Sequence, residues 1–297
     1  MFHVKHWVAN MGKIIAICNQ KGGTGKTTTA VNLSACLSQA GKKVLLVDSD
    51  PQGNSTSGLG VNKNTLMRSI YEVLLNKVTI KDVLSSTELN SLFVAPCNVN
   101  LTGAEIELVS ALARETRLKK ALSLIEKDFD YIFIDTPPSL GLLTLNALVA
   151  SNSIIIPIQC EFYALEGVSQ LFNTINLIRD GLNPELKIEG VLLTMADFRT
   201  NLTNEVINEI KGFFKEKVYK TVIPRNIKLS EAPSFGKPIC LYDKNSIGAK
   251  KYEEFSMEFL SDNIMRKSFM RNEMSKVNSE AITGEISSTT IIKGSGG

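Results

Sequence analysis

The stretch IIAICNQKGGTGKTTTAV, residues 14–31, joins an aliphatic run to a glycine-rich loop and then to a helical pattern. Residues 14–18 are typical of a strand, and residues 26–40 are typical of a helix. The loop between them nearly matches G-x-x-x-x-G-K-[ST], the pattern of a loop that holds phosphates. It departs from that pattern at Gln20, where the first glycine is expected, and the next residue, Lys21, is a second lysine. Strand, loop and helix form the context that the motif requires, so the sequence predicts a nucleotide site here.

Each part of this loop has its own expected role. Gly22, Gly23 and Gly25 allow the backbone to curl so that successive N–H groups point into one concavity. Lys26 is expected to reach the β- and γ-phosphates, and Thr27 to place its hydroxyl on Mg²⁺. The N-terminus of the following helix adds favourable partial positive charge. The loop is therefore expected to bind a polyphosphate together with Mg²⁺.

Short aliphatic runs alternate with helical patterns along most of the chain. Several of the runs are continuous rather than alternating, which is typical of strands covered on both faces. Further strands are expected at 43–50, 91–96, 131–138, 153–159, 188–195 and 219–224. This alternation predicts an α/β fold, with one domain built on a doubly wound, mainly parallel sheet flanked by helices.

Acidic residues stand where two of these strands end. Asp48 and Asp50 close VLLVDSDP, and Asp135 closes YIFIDTPP. In a parallel sheet, these ends face the crevice where ligands bind. A carboxylate there can hold Mg²⁺ directly or through water, or orient an attacking water. The alternative is that each one is a solvated turn or a helix cap, roles that aspartate also favours.

Composition limits the classes of protein to consider. The 297 residues are 43% hydrophobic, and 33 lysines and arginines against 30 acidic residues give a formal charge of +3. This small excess does not indicate a nucleic-acid binder, so any basic surface must come from local clustering. The five cysteines are scattered without a C-x-x-C pair, which is typical of a reducing cytosol. The expected location is cytoplasmic.

The loop and several longer motifs resemble the ParA/MinD family of ATPases with a deviant Walker A motif. The resemblance is greatest to the chromosomal ParA branch, the Soj type, and it runs from about Met11 to about Phe259. The motifs that carry it are KGGTGKT (21–27), VLLVDSDPQGNSTSGLG (44–60), DYIFIDTPPSLGLLTLNAL (130–148), IIPIQCEFYALEG (155–167), GVLLTMADFRTNL (190–202) and TVIPRNIKLSEAPSFGKPI (221–239).

The resemblance implies a role for the second lysine. In this family two subunits enclose two ATP molecules, and the signature lysine, here Lys21, crosses to the phosphates of the partner. It would supply in trans the charge that an arginine finger supplies elsewhere. The dimer would therefore form only when both subunits carry ATP. Loss of the glycine at position 20 would let the loop present the Lys21 side chain outward.

Other roles follow from the resemblance by position. The implied catalytic residues are Lys21, Lys26 and Asp50, of which Asp50 orients water. The implied nucleotide-binding residues are Lys21, Gly22, Gly23, Thr24, Gly25, Lys26, Thr27 and Thr28, with Pro224 and Asn226 next to the adenine. The implied Mg²⁺ residues are Thr27, Asp135 and Asp48, although for Asp48 a structural role is equally open. Hydrolysis without a strong dedicated base is expected to be slow.

The resemblance also implies partners. Soj-type relatives bind double-stranded DNA without sequence preference as ATP dimers, and a ParB partner stimulates hydrolysis and releases them; DnaA is a further target that the resemblance suggests. Two DNA-binding positions match Arg199 and Lys228, where arginine is more usual at the second. Lys211 and Lys215 extend the patch or form a solvated helix face. Such binding would be strongly salt-dependent and would make the protein nucleoid-associated.

The chain ends receive separate interpretations. Residues 1–10 are interpreted as an extension or a wrongly assigned start, because Met11 would itself begin the domain. The peptide MFHVKH can be encoded by a palindrome that resembles the parS site of the family, so it is hypothesised to be a translated centromere site. Residues 11–266 form the expected ATPase domain. Residues 267–297 lose periodicity and are expected to be disordered.

Three alternatives remain at this stage. A MinD-like membrane-associated ATPase would need a basic amphipathic helix, for which 264–277 is a weak candidate. An iron–sulfur relative would need converging cysteines, and Cys97 and Cys160 are isolated in the sequence. A plasmid-type ParA shares the ATPase chemistry, and the sequence does not separate it firmly from the chromosomal type.

Overall fold

The computed structural model describes residues 12–161, 164 and 166–264. The interpretations of residues 1–10 and 267–297, and nearly all of the candidate membrane helix at 264–277, lie outside these residues. The chain divides into two compact units, one ending at Phe255 and the other beginning at Ser256. In the second unit, residues 256–264 are helical throughout.

The first unit is built on one eight-stranded sheet. The strands are β1 (Lys13–Ile17), β2 (Val44–Asp48), β3 (Ser85–Ser86), β4 (Leu92–Ala95), β5 (Tyr131–Asp135), β6 (Ser153–Gln159), β7 (Lys187–Ala196) and β8 (Val218–Pro224). Their order is β3-β4-β2-β5-β1-β6-β7-β8. All pairings are parallel except that of β3 with β4. The mainly parallel α/β sheet expected from the sequence is confirmed.

Helices flank the sheet. They are α1 (Lys26–Gln39), α2 (Asn54–Gly58), α3 (Ile70–Leu74), α4 (Leu101–Glu107), α5 (Arg117–Leu122), α6 (Leu142–Ala150), α7 (Glu166–Gly181), α8 (Asn201–Phe214), α9 (Ile227–Glu231) and α10 (Ile239–Tyr242), followed by α11 from 247 to the end of this unit. Every residue of β2 and β5 is buried, as their continuous apolar sequences predict. No described helix combines the length and apolar character that crossing a bilayer requires.

One strand was not expected from the sequence. β3 contains only two serines and pairs antiparallel with β4 at the edge of the sheet. Its residues carry no apolar pattern, and edge strands are commonly short and polar because a long apolar edge would invite aggregation. The seven parallel strands therefore bring their carboxyl ends to one edge, where the loops after β1, β2, β5, β7 and β8 meet.

Candidate nucleotide-binding site

The glycine loop forms an open concavity between β1 and α1. Gly23 has φ +73° and Gly25 has φ +84°, a left-handed region that strongly favours glycine. A Cβ atom built on Gly22 or Gly23 would meet nothing within 4 Å. The backbone of the loop is therefore accessible from outside, beside the N-terminus of a 14-residue helix, as anion binding requires.

Lys26 is a buried cation at the base of this loop. Only 6% of the residue is exposed, and its Nζ donates a hydrogen bond to the Lys21 carbonyl at 3.0 Å. Burial lowers the pKa of Lys26, while Asp135, Cys18 and Asp50 act in the opposite direction. The ammonium thus occupies the concavity and is in position to exchange a backbone carbonyl for a phosphate oxygen.

The loop is fixed by neighbours that sequence reasoning missed. Thr194, near the end of β7, donates from Oγ1 to the Thr24 carbonyl at 2.9 Å and also lies against Gly25. Gln20, which replaces the first glycine of the motif, donates from Nε2 to Gln170 of α7 at 2.5 Å. The side chain at position 20 therefore ties the loop to α7. The position of Thr194 near a strand end was the available signal for its role.

Asp135 and Asp48 face each other at the ends of neighbouring strands. They are register partners in the parallel β2–β5 pair, and both are fully buried. Burial raises the pKa of both carboxyls, and the charge of Asp48 raises that of Asp135 further. Ser55 donates to Asp135 Oδ2 at 2.7 Å, whereas the buried Oδ1 has no hydrogen-bond partner in the described part of the chain.

Both oxygens of Asp48 are already engaged. Oδ2 accepts from the backbone N and the Oγ1 of Thr56, at 2.8 Å and 2.7 Å. Oδ1 accepts from the backbone N of Asp50 at 3.2 Å. This arrangement favours the structural role for Asp48 over direct metal binding, because a metal would have to displace hydrogen bonds that fix the turn after β2.

Asp135 and Thr27 provide a fit for Mg²⁺. Thr27 lies close enough to lower the pKa of the Asp135 carboxyl, and the unpartnered Oδ1 offers a hard oxygen ligand. Within the described residues, no cluster of three His, Cys, Asp or Glu side chains could hold a metal alone. The donors therefore suit Mg²⁺, which commonly takes one or two protein oxygens and completes its shell with phosphates and water.

Asp50 lies on the turn between β2 and α2. It is 7% exposed, and its Oδ1 accepts from the backbone N of Gln52 at 3.0 Å. Cys97, which follows β4, donates from Sγ to the Asp50 carbonyl at 2.7 Å. The backbone of this turn is therefore held by the neighbouring strand, and the structure brings Asp50 to the same edge as the glycine loop.

A cleft of about 750 Å³ opens beside α1. It brings Pro224 and Asn226, expected near the base, together with Gly25, Thr27 and Thr28. The cleft is also lined by residues that sequence reasoning did not single out, namely Asn54, Met195, Leu229 and Tyr252. Met195 has φ +53°, unusual for a residue other than glycine. A cleft that offers apolar side chains such as Met195, Pro224 and Leu229 beside a phosphate loop is suited to a planar base.

Arg199 and Lys228 follow the adjacent strands β7 and β8 at the carboxyl edge. The Arg199 side chain is 86% exposed, and its Nη2 lies 2.5 Å from Asp197 Oδ2. This guanidinium holds the pKa of Asp197 at about 2. Lys228 is also exposed and lies 2.8 Å from Glu231. Both cations are thus on the surface, each beside one carboxylate.

Lys211 and Lys215 lie elsewhere. Both are exposed, but they stand in the last turn of α8 and directly after it, while Arg199 precedes its first residue. A helix of 14 residues spans about 21 Å. The structure therefore separates the four candidate DNA-binding cations into two groups at opposite ends of α8.

Comparison with known proteins identifies the family of this chain. The family model described as "AAA domain" matches residues 12–188. The sporulation initiation inhibitor protein Soj of Bacillus subtilis is 59% identical over 84% of this chain and 98% of its own length. The chromosome partitioning protein ParA of Myxococcus xanthus is 55% identical over 85% and 89%.

A solved structure agrees with these relatives. A crystal structure described as cobyrinic acid a,c-diamide synthase from Mycobacterium smegmatis, with bound ATP analog and magnesium, is 39% identical. It matches with a TM-score of 0.73 over 82% of this chain and 93% of that one. The phosphate loop, the acidic strand ends and these relatives lead to one conclusion: the chain belongs to the ParA/Soj family of P-loop ATPases that partition chromosomes.

Proposed function

We propose that this protein is an ATP-dependent dimerising switch that binds DNA without sequence preference and acts with a ParB-type partner in partitioning. The observation that carries the proposal is that the Lys21 ammonium lies at the phosphate loop without a described partner. The residue is half-buried beside two exposed glycines, and its ammonium makes no hydrogen bond or ion pair within the described residues. A cation held at the mouth of a phosphate site is suited to an anion from another molecule.

ATP occupies the glycine loop and the adjacent cleft in this proposal. The phosphates lie against residues 21–28, with Lys26 on the β- and γ-phosphates, and the base lies near Pro224 and Asn226. Thr27 and Asp135 hold Mg²⁺, which neutralises charge on the phosphates when bound. Asp50 orients the attacking water. These residues contribute positioning and charge rather than a strong base, so we expect slow turnover.

Arg199 and Lys228 form the proposed DNA contact. They are exposed at the same edge as the nucleotide site, so two subunits facing each other across ATP would present both pairs together. Lysine in place of the more usual arginine keeps the charge of position 228 but loses bidentate geometry. Binding led by phosphate contacts is independent of sequence and weakens steeply as salt rises.

The proposed partners come from the relatives. A ParB-type protein would stimulate hydrolysis and release the DNA-bound dimer, and DnaA would be a second target. Non-specific DNA binding would place the protein on the nucleoid. Similarity to Soj of Bacillus subtilis and ParA of Myxococcus xanthus supports these partners.

The test is ATP hydrolysis measured with the protein alone, with DNA, and with DNA plus the ParB-type protein. We expect low activity alone and stimulation of about tenfold or more only when both are present. Asp50→Ala should retain the ATP-dependent dimer on DNA but lose hydrolysis. The proposed switch would be contradicted if DNA plus the ParB-type protein did not stimulate hydrolysis, or if the protein alone were already fully active.

A further inference from the structure

Asn19 connects the glycine loop to the central sheet through both ends of its side chain. It is 3% exposed. Its Nδ2 donates to the Pro157 carbonyl of β6 at 2.7 Å, and its Oδ1 accepts from the backbone N of Lys21 at 3.1 Å. Only this orientation of the amide pairs donor with acceptor at both contacts, because a flipped amide would place oxygen against the carbonyl and NH₂ against the N–H.

The contact with Pro157 continues the sheet beyond the end of a strand. The Ile155 carbonyl accepts from the backbone N of Cys18 at 3.1 Å. Carbonyls two residues apart on a strand point the same way, so Pro157 O faces the side of β1, one step beyond its last rung. The Asn19 side chain supplies the donor there, at the point where the β1 backbone turns into the loop.

A second set of contacts restrains the Lys21 backbone through its carbonyl, and a bound nucleotide would remove the shorter of them. The Lys21 carbonyl accepts from Lys26 Nζ at 3.0 Å and, more distantly, from Thr24 Oγ1 at 3.4 Å. When Lys26 turns to the phosphates of ATP, the Lys21 carbonyl loses its shorter contact. The bond from Asn19 Oδ1 to the Lys21 amide does not involve Lys26, so it survives the exchange.

We propose that Asn19 is a positioning residue that fixes the backbone of Lys21 so that its ammonium reaches the phosphates of the second subunit. This inference rests on the proposed dimerisation through Lys21. In this arrangement Asn19 makes no contact with the ATP of its own subunit. Loss of the side chain should therefore weaken dimerisation much more than nucleotide binding.

The experiment measures two quantities for the full chain with a non-hydrolysable ATP analogue and Mg²⁺: analogue affinity at low protein concentration, and the dimer dissociation constant at saturating analogue. For Asn19→Ala we expect analogue affinity within about threefold of the wild type and dimerisation weakened about tenfold or more, since the hydrogen bond that orients the Lys21 backbone is lost together with its anchor on Pro157. If Asn19→Ala does not fold, Asn19→Ser replaces it, because its hydroxyl is too short to bridge both contacts.

The matched control is Asn183→Ala. Asn183 is also buried and donates to the carbonyls of Leu148, Val149 and Ser151, so its loss tests general destabilisation. We expect lower thermal stability but unchanged dimerisation. Equal weakening of dimerisation by Asn183→Ala would overturn the inference.

A double-mutant cycle with Lys21→Ala tests whether Asn19 affects dimerisation through Lys21. If Asn19 acts through Lys21, Asn19→Ala should weaken dimerisation no further in the Lys21→Ala background. If Lys21→Ala weakens dimerisation but Asn19→Ala does not, or if the two effects add, the Asn19 inference fails while the proposed function stands. If Lys21→Ala leaves dimerisation unchanged, the proposed function itself fails, and the inference fails with it.

Discussion

At the scale of single residues, the most unusual feature is the buried carboxylate pair Asp48 and Asp135. Hydrogen bonds from Thr56 and Asp50 engage Asp48 on both oxygens. Asp135 Oδ2 accepts a hydrogen bond from Ser55, and its buried Oδ1 has no geometric hydrogen-bond partner among the described residues. A buried charge that lacks compensation destabilises the fold. The protein therefore maintains a costly arrangement that Mg²⁺ and nucleotide would relieve.

Asp135→Asn should stabilise the nucleotide-free protein. The folded-state pKa of Asp135 is raised by burial and by Asp48, so the folded state keeps a proton that the unfolded state has lost. Stability then falls as pH rises from the ordinary aspartate value, about 4, to the raised one. A neutral amide at this position would remove this loss, and we expect the free energy of unfolding at about pH 8 to rise by about 1–3 kcal/mol.

Chemical denaturation between about pH 5 and pH 8 checks this prediction. The wild type should become less stable toward pH 8, and Asp135→Asn should show a shallower slope. Asp180→Asn, at an exposed position on α7, is the control and should retain the wild-type slope. A variant Asp135→Asn that is less stable than the wild type at both pH values would contradict the account of this pair.

At the scale of elements, α8 separates two possible DNA surfaces. Arg199→Glu changes the end near the nucleotide site, and Lys215→Glu makes the same two-unit change of charge at the far end. We expect Arg199→Glu to weaken retention of DNA by the ATP dimer about tenfold or more, because it replaces a phosphate contact with repulsion. Lys215→Glu should reduce retention only slightly.

Gel shifts at several salt concentrations measure this difference. The dimer mass with ATP analogue should be the same for both variants and the wild type. Equal loss of retention at the two positions would mean that binding follows total charge, and a larger loss for Lys215→Glu would place the DNA surface at the other end of α8.

The sequence predicted best those elements whose conformation is determined by their own residues. The seven parallel strands follow from short apolar runs, several of them continuous, and the conformation of the glycine loop follows from its glycines. β3 was missed because its two serines pair only through the backbone of β4. Asn19, Thr194 and Met195 were missed for a related reason: their roles depend on neighbours brought together by the sheet, and no local pattern marks them.

The candidate site was predicted in part. The strand ends predicted that Asp48, Asp50 and Asp135 lie at one edge of the sheet, but only their hydrogen bonds distinguish the engaged Asp48 from the open Asp135. The spacing of lysines along α8 likewise suggested one patch with Arg199, whereas the length of the helix separates them. The sequence shows which residues are present and in what order, whereas the different roles of these aspartates and lysines depend on their distances and burial in the folded chain.

At the scale of the whole molecule, dimerisation would depend on ATP bound in both subunits. In the proposed dimer, Lys26 would bind the nucleotide of its own subunit and Lys21 that of the partner, so both lysines would be needed to assemble the switch. DNA retention and partner-stimulated hydrolysis would both follow from this state, because the exposed cations lie at the same edge as the nucleotide site.

The most direct test is the molar mass in solution, measured by light scattering with saturating non-hydrolysable ATP analogue and Mg²⁺. The chain has a mass of 32.6 kDa. The wild type should change from this mass to twice this mass when the analogue is added, and Lys21→Ala should bind the analogue but remain at the single-chain mass. A wild type that stays monomeric, or a Lys21→Ala variant that dimerises equally well, would contradict the account.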